Sequence, residues 1–242
     1  SMLVLTRDTI FASRDPHGWR PLVIGKDEED TWIIASESCA FGSRFRLVRD
    51  VRPGEIVKID REGFQTIYQF SNKRLYCIQE WLHFARVDSL VDDINVAEVR
   101  HHLGQRLARK CGQVDIDMIS PVPFAAFTYA EGVQKILGTP LVQAFHRPHY
   151  DSTYSVIPRN VRGKKILLVD DLLRTGNTLK KLISDLREAD ASKVYVGIAT
   201  PPVREDCRYW SQGMQTFLAL KCNMNEICQA IGADGFQCLD VK

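Results

Sequence analysis

Several features that define common protein classes are absent from this sequence of 242 residues. No apolar run approaches the roughly 18 residues of a membrane-spanning helix, so we expect no association with a membrane. The net charge of +2 gives no electrostatic reason to expect a nucleic acid as partner. The first residues lack the basic region and cleavage site of a signal peptide, which favours a cytoplasmic protein.

The seven cysteines are not arranged as a disulfide framework or as a typical metal motif. Their number is odd, and no two of them form a C-x-x-C pair, so we expect reduced thiols. Hydrophobic residues make up 45% and charged residues 26% of the chain. That composition is usual for a globular protein of one or two domains.

The pattern of apolar residues changes near residue 75. Before it, short apolar runs alternate with turn residues, which is typical of closely spaced antiparallel strands. These runs lie at 9–13, 21–25, 31–35, 55–59 and 64–70. The sequence therefore predicts a small N-terminal, mainly antiparallel β region at 1–75 and a second domain at 76–242.

In the second predicted domain, apolar residues at helical spacing alternate with short strand-like runs. The runs include 114–119, 141–145, 166–169 and 194–199. Such alternation predicts an α/β fold, with a parallel sheet flanked by helices and joined by right-handed crossovers.

The most informative stretch is 166–178, which reads ILLVDDLLRTGNT. Its apolar run predicts a strand buried on both faces, and the carboxyl ends of such strands are where α/β sheets bind ligands. Asp170 and Asp171 suit a ribose diol and a hydrated Mg²⁺, while the polar loop before the next helix suits a phosphate. The stretch therefore indicates a site for a phosphorylated ribose. The alternative is an acid pair that is merely solvated or caps the helix.

This stretch strongly resembles the signature by which type I phosphoribosyltransferases bind phosphoribosyl pyrophosphate. The resemblance implies the type I phosphoribosyltransferase fold, with Asp170 and Asp171 helping to place Mg²⁺. It also implies a phosphoribosyl pyrophosphate site made of Asp170, Asp171, Arg174, Thr175, Gly176, Asn177, Thr178 and Arg147.

Landmarks along nearly the whole chain are similar, in order, to those of the glutamine phosphoribosylpyrophosphate amidotransferase family. They lie at 14–25, 35–38, 51–55, 84–89, 166–178, 201–202 and 231–235. In that family one domain releases ammonia from glutamine, and a second lets ammonia displace pyrophosphate from C1 of the ribose. The resemblance implies a glycosyltransferase (pentosyltransferase) of purine nucleotide biosynthesis that forms phosphoribosylamine.

The part of the family that handles glutamine has no counterpart in this chain. The family's terminal cysteine nucleophile lies upstream of the matching segment, and 1–75 resembles only the distal part of the glutaminase domain. Cys39 is internal, lacks a terminal amine as base, and is expected in the core. The resemblance therefore implies free ammonia, or a separate glutaminase subunit, as partner, and leaves a homo-oligomer open.

Two loops depart from the family pattern. Phe124 and Phe127 follow Pro123 where the family has acidic or hydroxylated residues, and we expect them to pack. The segment 146–158 resembles the family's basic loop but has fewer basic residues. Four basic side chains near it either meet a pyrophosphate or are surface charges: Arg147, His149, Arg159 and Arg162.

These departures keep two further functions open beside ammonia transfer. One is a non-catalytic module that senses phosphoribosyl pyrophosphate or a nucleotide, or serves as a partner subunit. The other is a purine-salvage phosphoribosyltransferase, because the stretch 170–176 is close to the adenine phosphoribosyltransferase version of the loop.

Mg²⁺ is the only cofactor that the sequence leads us to expect. Cys77 and Cys207 match two of the four ligands in the family's iron–sulfur members, but a cluster needs the full set, so none is expected. The pair His101 and His102, and the spacing of His146 and His149, are expected to be surface features rather than a metal site.

Overall fold

The computed structural model describes residues 1–70, 73–112, 114–149, 153–203 and 217–240. The chain divides into two compact units, Ser1–Ala97 and Glu98–Lys242. The predicted domain boundary after residue 75 stays a prediction, since compactness alone does not show which segments fold independently.

The first unit consists of short antiparallel strands, as the turn-rich pattern predicts. They are β1 (Met2–Leu5), β2 (Ile10–Ser13), β3 (Val23–Lys26), β4 (Trp32–Ala35), β5 (Arg46–Asp50), β6 (Glu55–Asp60), β7 (Gly63–Gln69), β8 (Leu90–Val91) and β9 (Ile94–Asn95). One sheet has the order β1-β2-β6-β7, a second has the order β4-β3-β5, and β8 pairs with β9. In β6, Glu55, Val57 and Ile59 are buried and alternate with more exposed residues, which is the period of a half-buried strand.

Cys39 does not lie in the core of this unit, so that expectation is wrong. The residue is half-buried in a 3₁₀ turn, Ser38–Phe41, whose buried member is Phe41. Its Sγ lies 3.7 Å from Glu37 Oε2. Partial burial raises the pKa of the Cys39 thiol, which makes it a poor nucleophile.

The second unit alternates helices and strands. Its helices are α1 (Val96–Cys111), α2 (Phe127–Leu137), α3 (Pro158–Val161), α4 (Asn177–Glu188) and α5 (Met224–Ile231), and α1 begins two residues before the unit does. Its strands are β10 (Met118–Pro121), β11 (Phe145–His146), β12 (Ser155–Val156), β13 (Lys165–Asp170), β14 (Lys193–Ile198) and β15 (Gly235–Cys238). In the part of the chain that the structure describes, no helix is long and apolar enough to cross a membrane.

A four-stranded parallel sheet of order β10-β13-β14-β15 forms the centre of the second unit. Ile166 and Leu168 of β13 lie in one hydrophobic core with residues of α4 and α5. Leu167 and Val169 lie in another with residues of α1 and α2. The strand is therefore buried on both faces, and the predicted α/β class is confirmed.

The structure differs from the predicted elements at both edges of this sheet. The predicted strand 141–145 contributes a single parallel bridge, Leu141 to Ile119, and the chain then forms the β11–β12 hairpin. The edge strand β15 was not predicted, because its four residues are too short to carry a clear period. It forms because α5 ends at Gly232, where φ is 77°, and the chain returns to pair with β14.

Candidate functional site

The acid pair lies at the carboxyl end of β13, in the middle of the parallel sheet. Asp170 is the last residue of the strand, and the Ala199 amide donates to its carbonyl at 2.9 Å. The Asp171 amide donates to Asp170 Oδ1 at 2.9 Å. Asp171 is 5% exposed, whereas Asp170 is only half-buried. Of the two residues, Asp170 is therefore the more exposed to solvent.

The electrostatics of the pair favour a positively charged ligand. Burial and the neighbouring charge of Asp171 raise the pKa of Asp170 well above its ordinary value. A cation beside the pair would stabilise both ionised carboxylates. Among the described residues, no group of three His, Cys, Asp or Glu side chains could hold a metal. Two carboxylates without further protein ligands fit hydrated Mg²⁺, which takes its other ligands from water and substrate phosphates.

The loop after the acid pair leads directly into the N-terminus of α4. Gly176 is the N-cap of this helix, with φ at 74°, and a Cβ there would lie 2.4 Å from Leu218 Cδ1. A larger residue is therefore disfavoured both by the backbone conformation and by the Leu218 side chain, which would have to shift. Asn177 and Thr178 are exposed in the first turn, and the Asn177 amide lies 3.4 Å from Thr175 Oγ1. Because glycine offers no capping side chain, the first amides and the helix dipole are available to an anion.

Of the predicted site residues, those at 170–178 follow one another around this strand end, whereas Arg147 comes from the segment after β11. Its Nη1 donates to the Tyr154 hydroxyl at 3.0 Å, and its guanidinium lies 4.6 Å from the centre of the Tyr154 ring. The Tyr154 hydroxyl in turn donates to the Pro123 carbonyl at 3.2 Å. These contacts hold Arg147 beside the loop that follows β10.

That loop leaves β10 at the carboxyl end of the parallel strands, where the acid pair also lies. β10 pairs with β13 with Pro121 opposite Val169, and the Val122 amide donates to the Val169 carbonyl at 2.9 Å. The loop also carries Phe124, whose ring centre lies 5.9 Å from the Arg147 guanidinium. The loops after β10 and β13 therefore leave neighbouring strands on one side of the sheet.

The prediction that both phenylalanines pack is wrong. Phe124 is 56% and Phe127 is 52% exposed. Ala126 lies in the core instead, so the loop turns its small residue inward and its two rings outward. Two aromatic faces are consequently open where the family's pyrophosphate loop has hydrogen-bonding side chains.

Two other predicted candidates lie on the surface. Arg159 and Arg162 are exposed, and Arg162 Nε lies 3.6 Å from the exposed Asp190, which favours surface charges. Cys77 is half-buried, and Cys207 lies outside the described residues. The predicted absence of an iron–sulfur cluster stays a prediction.

The sequence did not lead us to predict a buried pair of residues near the acids, Arg100 and Tyr129. The Tyr129 hydroxyl shares a hydrogen bond with the Arg100 side chain. Burial raises the pKa of Tyr129, and the charges of Asp171 and Asp170 act in the same direction, whereas Arg100 opposes them. The helical spacing predicts that Tyr129 is buried, but it carries no signal of where the hydroxyl points.

Comparison with known families assigns the class. The model of the phosphoribosyl transferase domain family matches residues 88–212, which is more than half of the chain. The chain therefore belongs to the phosphoribosyltransferase family.

Its relatives in that family are amidophosphoribosyltransferases, which confirms the resemblance seen in the sequence landmarks. The Homo sapiens amidophosphoribosyltransferase is 33% identical over 281 residues, which cover 100% of this chain and 54% of the relative. The Escherichia coli amidophosphoribosyltransferase is 35% identical over 93% of this chain and 51% of the relative. The chain thus spans about half the length of the curated relatives it matches.

Two solved structures have the same fold over 99% of this chain. One, described as the allosteric regulatory enzyme of purine biosynthesis, gives a TM-score of 0.88 at 31% identity, with 56% of that chain covered. The other is the Bacillus subtilis glutamine phosphoribosylpyrophosphate amidotransferase complexed with ADP and GMP. It gives a TM-score of 0.87 at 32% identity, with 57% of that chain covered. The predicted phosphoribosyltransferase fold is confirmed.

Proposed function

We propose that the acid pair and the loop after it bind phosphoribosyl pyrophosphate together with Mg²⁺. Ammonia then displaces the pyrophosphate and gives phosphoribosylamine. The observation that carries this proposal is the position of Asp170, a partly exposed residue, at the start of the loop that leads into the glycine-capped N-terminus of α4. It lies on the central strand of a phosphoribosyltransferase fold.

Each part of the substrate has a chemically suitable partner. The Asp170 carboxylate accepts hydrogen bonds from the ribose hydroxyls. The amides and hydroxyls of 175–178 surround the 5′-phosphate, which the dipole of α4 also favours. Bound beside Asp170, Mg²⁺ would neutralise negative charge on the substrate phosphates. Asp171 follows it directly in the chain and is buried.

The proposed reaction exchanges one bond at C1 of the ribose for another. The ammonia nitrogen forms a bond to C1 while the C1–oxygen bond to pyrophosphate breaks, and the bonding electron pair leaves with the pyrophosphate. The new amine gives up one proton to solvent. Negative charge grows on the leaving group, and the proposal assigns Arg147, held beside the loop after β10, as the cation that meets it.

In this proposal ammonia is the direct substrate of the phosphoribosyltransferase unit. The Bacillus subtilis protein with the same fold is named a glutamine amidotransferase. A glutaminase, elsewhere on the polypeptide or on a separate subunit, would then supply ammonia to this chain. Since the chain covers about half of its relatives, glutamine use is proposed for such an assembly rather than for the described units alone.

A second candidate is a sensor that binds phosphoribosyl pyrophosphate or a nucleotide without turnover. The exposed rings of Phe124 and Phe127 favour it, because they offer no hydrogen bonds to a departing pyrophosphate. Purine salvage, the third function considered from the sequence, predicts transfer to adenine or hypoxanthine instead of ammonia.

Two measurements on the same protein separate these functions. Calorimetric titration with phosphoribosyl pyrophosphate, with and without Mg²⁺, measures binding, and pyrophosphate release is then assayed with ammonium, glutamine, adenine or hypoxanthine. Mg²⁺-dependent binding with ammonium-dependent release supports the proposal. Binding without release supports the sensor, and release only with a purine base supports salvage.

The matched variants are Asp170→Asn, in the site, and Glu131→Gln, exposed on α2. Asp170→Asn should strongly weaken both signals while Glu131→Gln leaves them unchanged. Absence of binding in the unaltered protein would overturn both the transferase and the sensor.

A further inference from the structure

The hairpin of β11 and β12 brings together two side chains that are seven residues apart in the chain. The last pair of its antiparallel ladder is His146 with Ser155. The next residues along the two strands are Arg147 and Tyr154, which therefore lie side by side just beyond the ladder. Their contact follows from the register of the hairpin.

The ring of Tyr154 is held by the core of the second unit. It is partly buried and packs against the hydrophobic cluster that contains Phe145, which is fully buried. The centres of these two rings lie 6.2 Å apart with their planes at 77°, the edge-to-face arrangement that aromatic rings prefer. Core packing therefore fixes where the Tyr154 hydroxyl lies.

The Tyr154 hydroxyl makes a hydrogen bond in each direction. It accepts from Arg147 Nη1 at 3.0 Å and donates to the Pro123 carbonyl at 3.2 Å. Since a hydroxyl has a single proton, that proton is directed at the loop after β10, while the guanidinium binds the oxygen. One hydroxyl group thus connects the Arg147 side chain with that loop.

These contacts orient Arg147 without cancelling its charge. Its guanidinium lies 4.6 Å from the centre of the Tyr154 ring and 5.9 Å from the centre of the Phe124 ring, within the range of cation–π attraction. Both rings are neutral, and the bond to the hydroxyl uses only one of the five N–H donors of a guanidinium. The contacts therefore do not compete with an anion for the positive charge.

We propose that Tyr154 is a positioning residue for the pyrophosphate end of the ligand. It holds the guanidinium of Arg147 at the loop after β10, so that the cation and the backbone of that loop meet the pyrophosphate as one unit. Tyr154 itself does not touch the ligand. The ligand part of this inference rests on the proposed function, whereas the coupling of Arg147 with Tyr154 does not.

Two ligands that differ in the pyrophosphate test the positioning role. Calorimetry measures the dissociation constants of phosphoribosyl pyrophosphate and of ribose 5-phosphate, each with Mg²⁺. Tyr154→Phe keeps the ring and removes both bonds of the hydroxyl, so it should weaken binding of phosphoribosyl pyrophosphate about tenfold and that of ribose 5-phosphate by less than about twofold. Equal losses for both ligands, or no loss for either, would overturn the proposal.

The first unit offers a matched control. Arg74 Nη1 donates to the Tyr76 hydroxyl at 3.2 Å, and its guanidinium lies 5.6 Å from the centre of that ring. Tyr76→Phe removes the same kind of bond in the other unit and should leave both affinities unchanged. A loss in Tyr76→Phe equal to that in Tyr154→Phe would mean that the effect is not specific to the pyrophosphate end.

A second background shows whether Tyr154 acts through Arg147. In Arg147→Met the guanidinium is already absent, so adding Tyr154→Phe should weaken binding of phosphoribosyl pyrophosphate only about twofold further. A full tenfold loss in this background would contradict the proposed role, because Tyr154 would then act independently of the cation.

The same cycle without ligand separates this inference from the proposed function. The thermal unfolding midpoint is measured for the unaltered chain, the two single variants and the double variant. The loss caused by Tyr154→Phe should be about half as large in the Arg147→Met background, where only the bond to Pro123 remains to be removed. Equal losses in both backgrounds would overturn the coupling. If the unaltered protein binds no phosphoribosyl pyrophosphate, the proposed function fails, while this cycle still decides whether Tyr154 and Arg147 are coupled.

Discussion

Each of the two units contains a pair of buried or half-buried carboxylates, and the surroundings of the two pairs differ. In the first unit Asp50 and Asp92 lie beside Arg14, whose Nη1 is 3.1 Å from Asp92 Oδ1 and 3.9 Å from Asp50 Oδ1. The remaining donors of Arg14 bind the carbonyls of Arg20, Val51 and Gly18. Arg74 adds a second cation, 3.2 Å from Asp92.

The surroundings of the two pairs distinguish a structural acid pair from a ligand site. The pair at Asp50 and Asp92 is enclosed by arginine and backbone groups, and Asp92 accepts two bonds from one guanidinium. In the second unit Asp171 is buried, and Asp170 is a partly exposed residue before a helix N-terminus. A partly exposed acidic residue beside a helix N-terminus suits a sugar phosphate and Mg²⁺.

The largest effect should come from breaking the enclosed pair. Arg14→Met leaves two buried carboxylates without their main cation, so the free energy of unfolding should fall by about 3–5 kcal/mol. Urea denaturation measures this. Arg46→Met, at an exposed ion pair with Glu28, is the control and should stay within about 0.5 kcal/mol. A loss below about 1 kcal/mol for Arg14→Met would show that the enclosed pair is not structural.

Next in size is the effect of the pair Asp170 and Asp171 on binding. Asp170→Asn removes the acceptor for ribose and Mg²⁺, so affinity for phosphoribosyl pyrophosphate should fall by about 30- to 100-fold, or roughly 2–3 kcal/mol. Stability should not fall, because the variant also removes an unfavourable charge beside Asp171. Calorimetry and thermal unfolding check both statements, and a large loss of stability without loss of affinity would reverse the assignment.

The enclosed pair should also make stability depend on pH. Burial, together with the neighbouring charge of Asp92, raises the pKa of Asp50 from its ordinary 3.8 to about 6. Between these values the folded protein binds more protons than the unfolded chain, so the contribution of Asp50 to stability is lost as pH rises from about 4 through 6. The size is about 1–3 kcal/mol.

Urea denaturation at several pH values, compared with Asp50→Asn, isolates this contribution. The difference in unfolding free energy between the two proteins should change in favour of the variant as pH rises. A constant difference between pH 4 and pH 7 would mean that Asp50 titrates normally.

The smallest effect separates two glycines with the same backbone conformation. Gly176 has φ at 74° and faces Leu218, whereas Gly163 has φ at 70° and open space around it. Alanine at either position is strained, but Gly176→Ala also meets the Leu218 side chain, so it should destabilise by about 1 kcal/mol more than Gly163→Ala. Only Gly176→Ala should also weaken binding of the 5′-phosphate. Equal effects would show that the loop can move to accept a methyl group.

Much of the site could be predicted because it is continuous in sequence. The apolar run, Asp170, Asp171, Gly176 and the start of α4 follow one another, so their relation is set by strand and helix periods alone. The predicted strand, its burial on both faces and the helix after it are all confirmed.

What escaped prediction depends on residues that are distant in the chain. Arg100 and Tyr129 come together where α1 and α2 cross closely at Gly104 and Gly132, and no local pattern encodes that crossing. Phe124 and Phe127 were expected to pack because they are apolar, but Ala126 takes the core position of that loop. The backbone conformation of the loop decides which side chains point outward, and the composition does not specify that conformation.

The most direct test of the difference between the two pairs is a crystal structure of the complex with phosphoribosyl pyrophosphate and Mg²⁺. We expect ribose hydroxyls within about 3.2 Å of the Asp170 carboxylate and a 5′-phosphate on the amides of 175–178. The ion pairs of Arg14 should stay as they are. A ligand bound away from Asp170, or bound while Asp170 contacts only protein groups, would contradict this expectation.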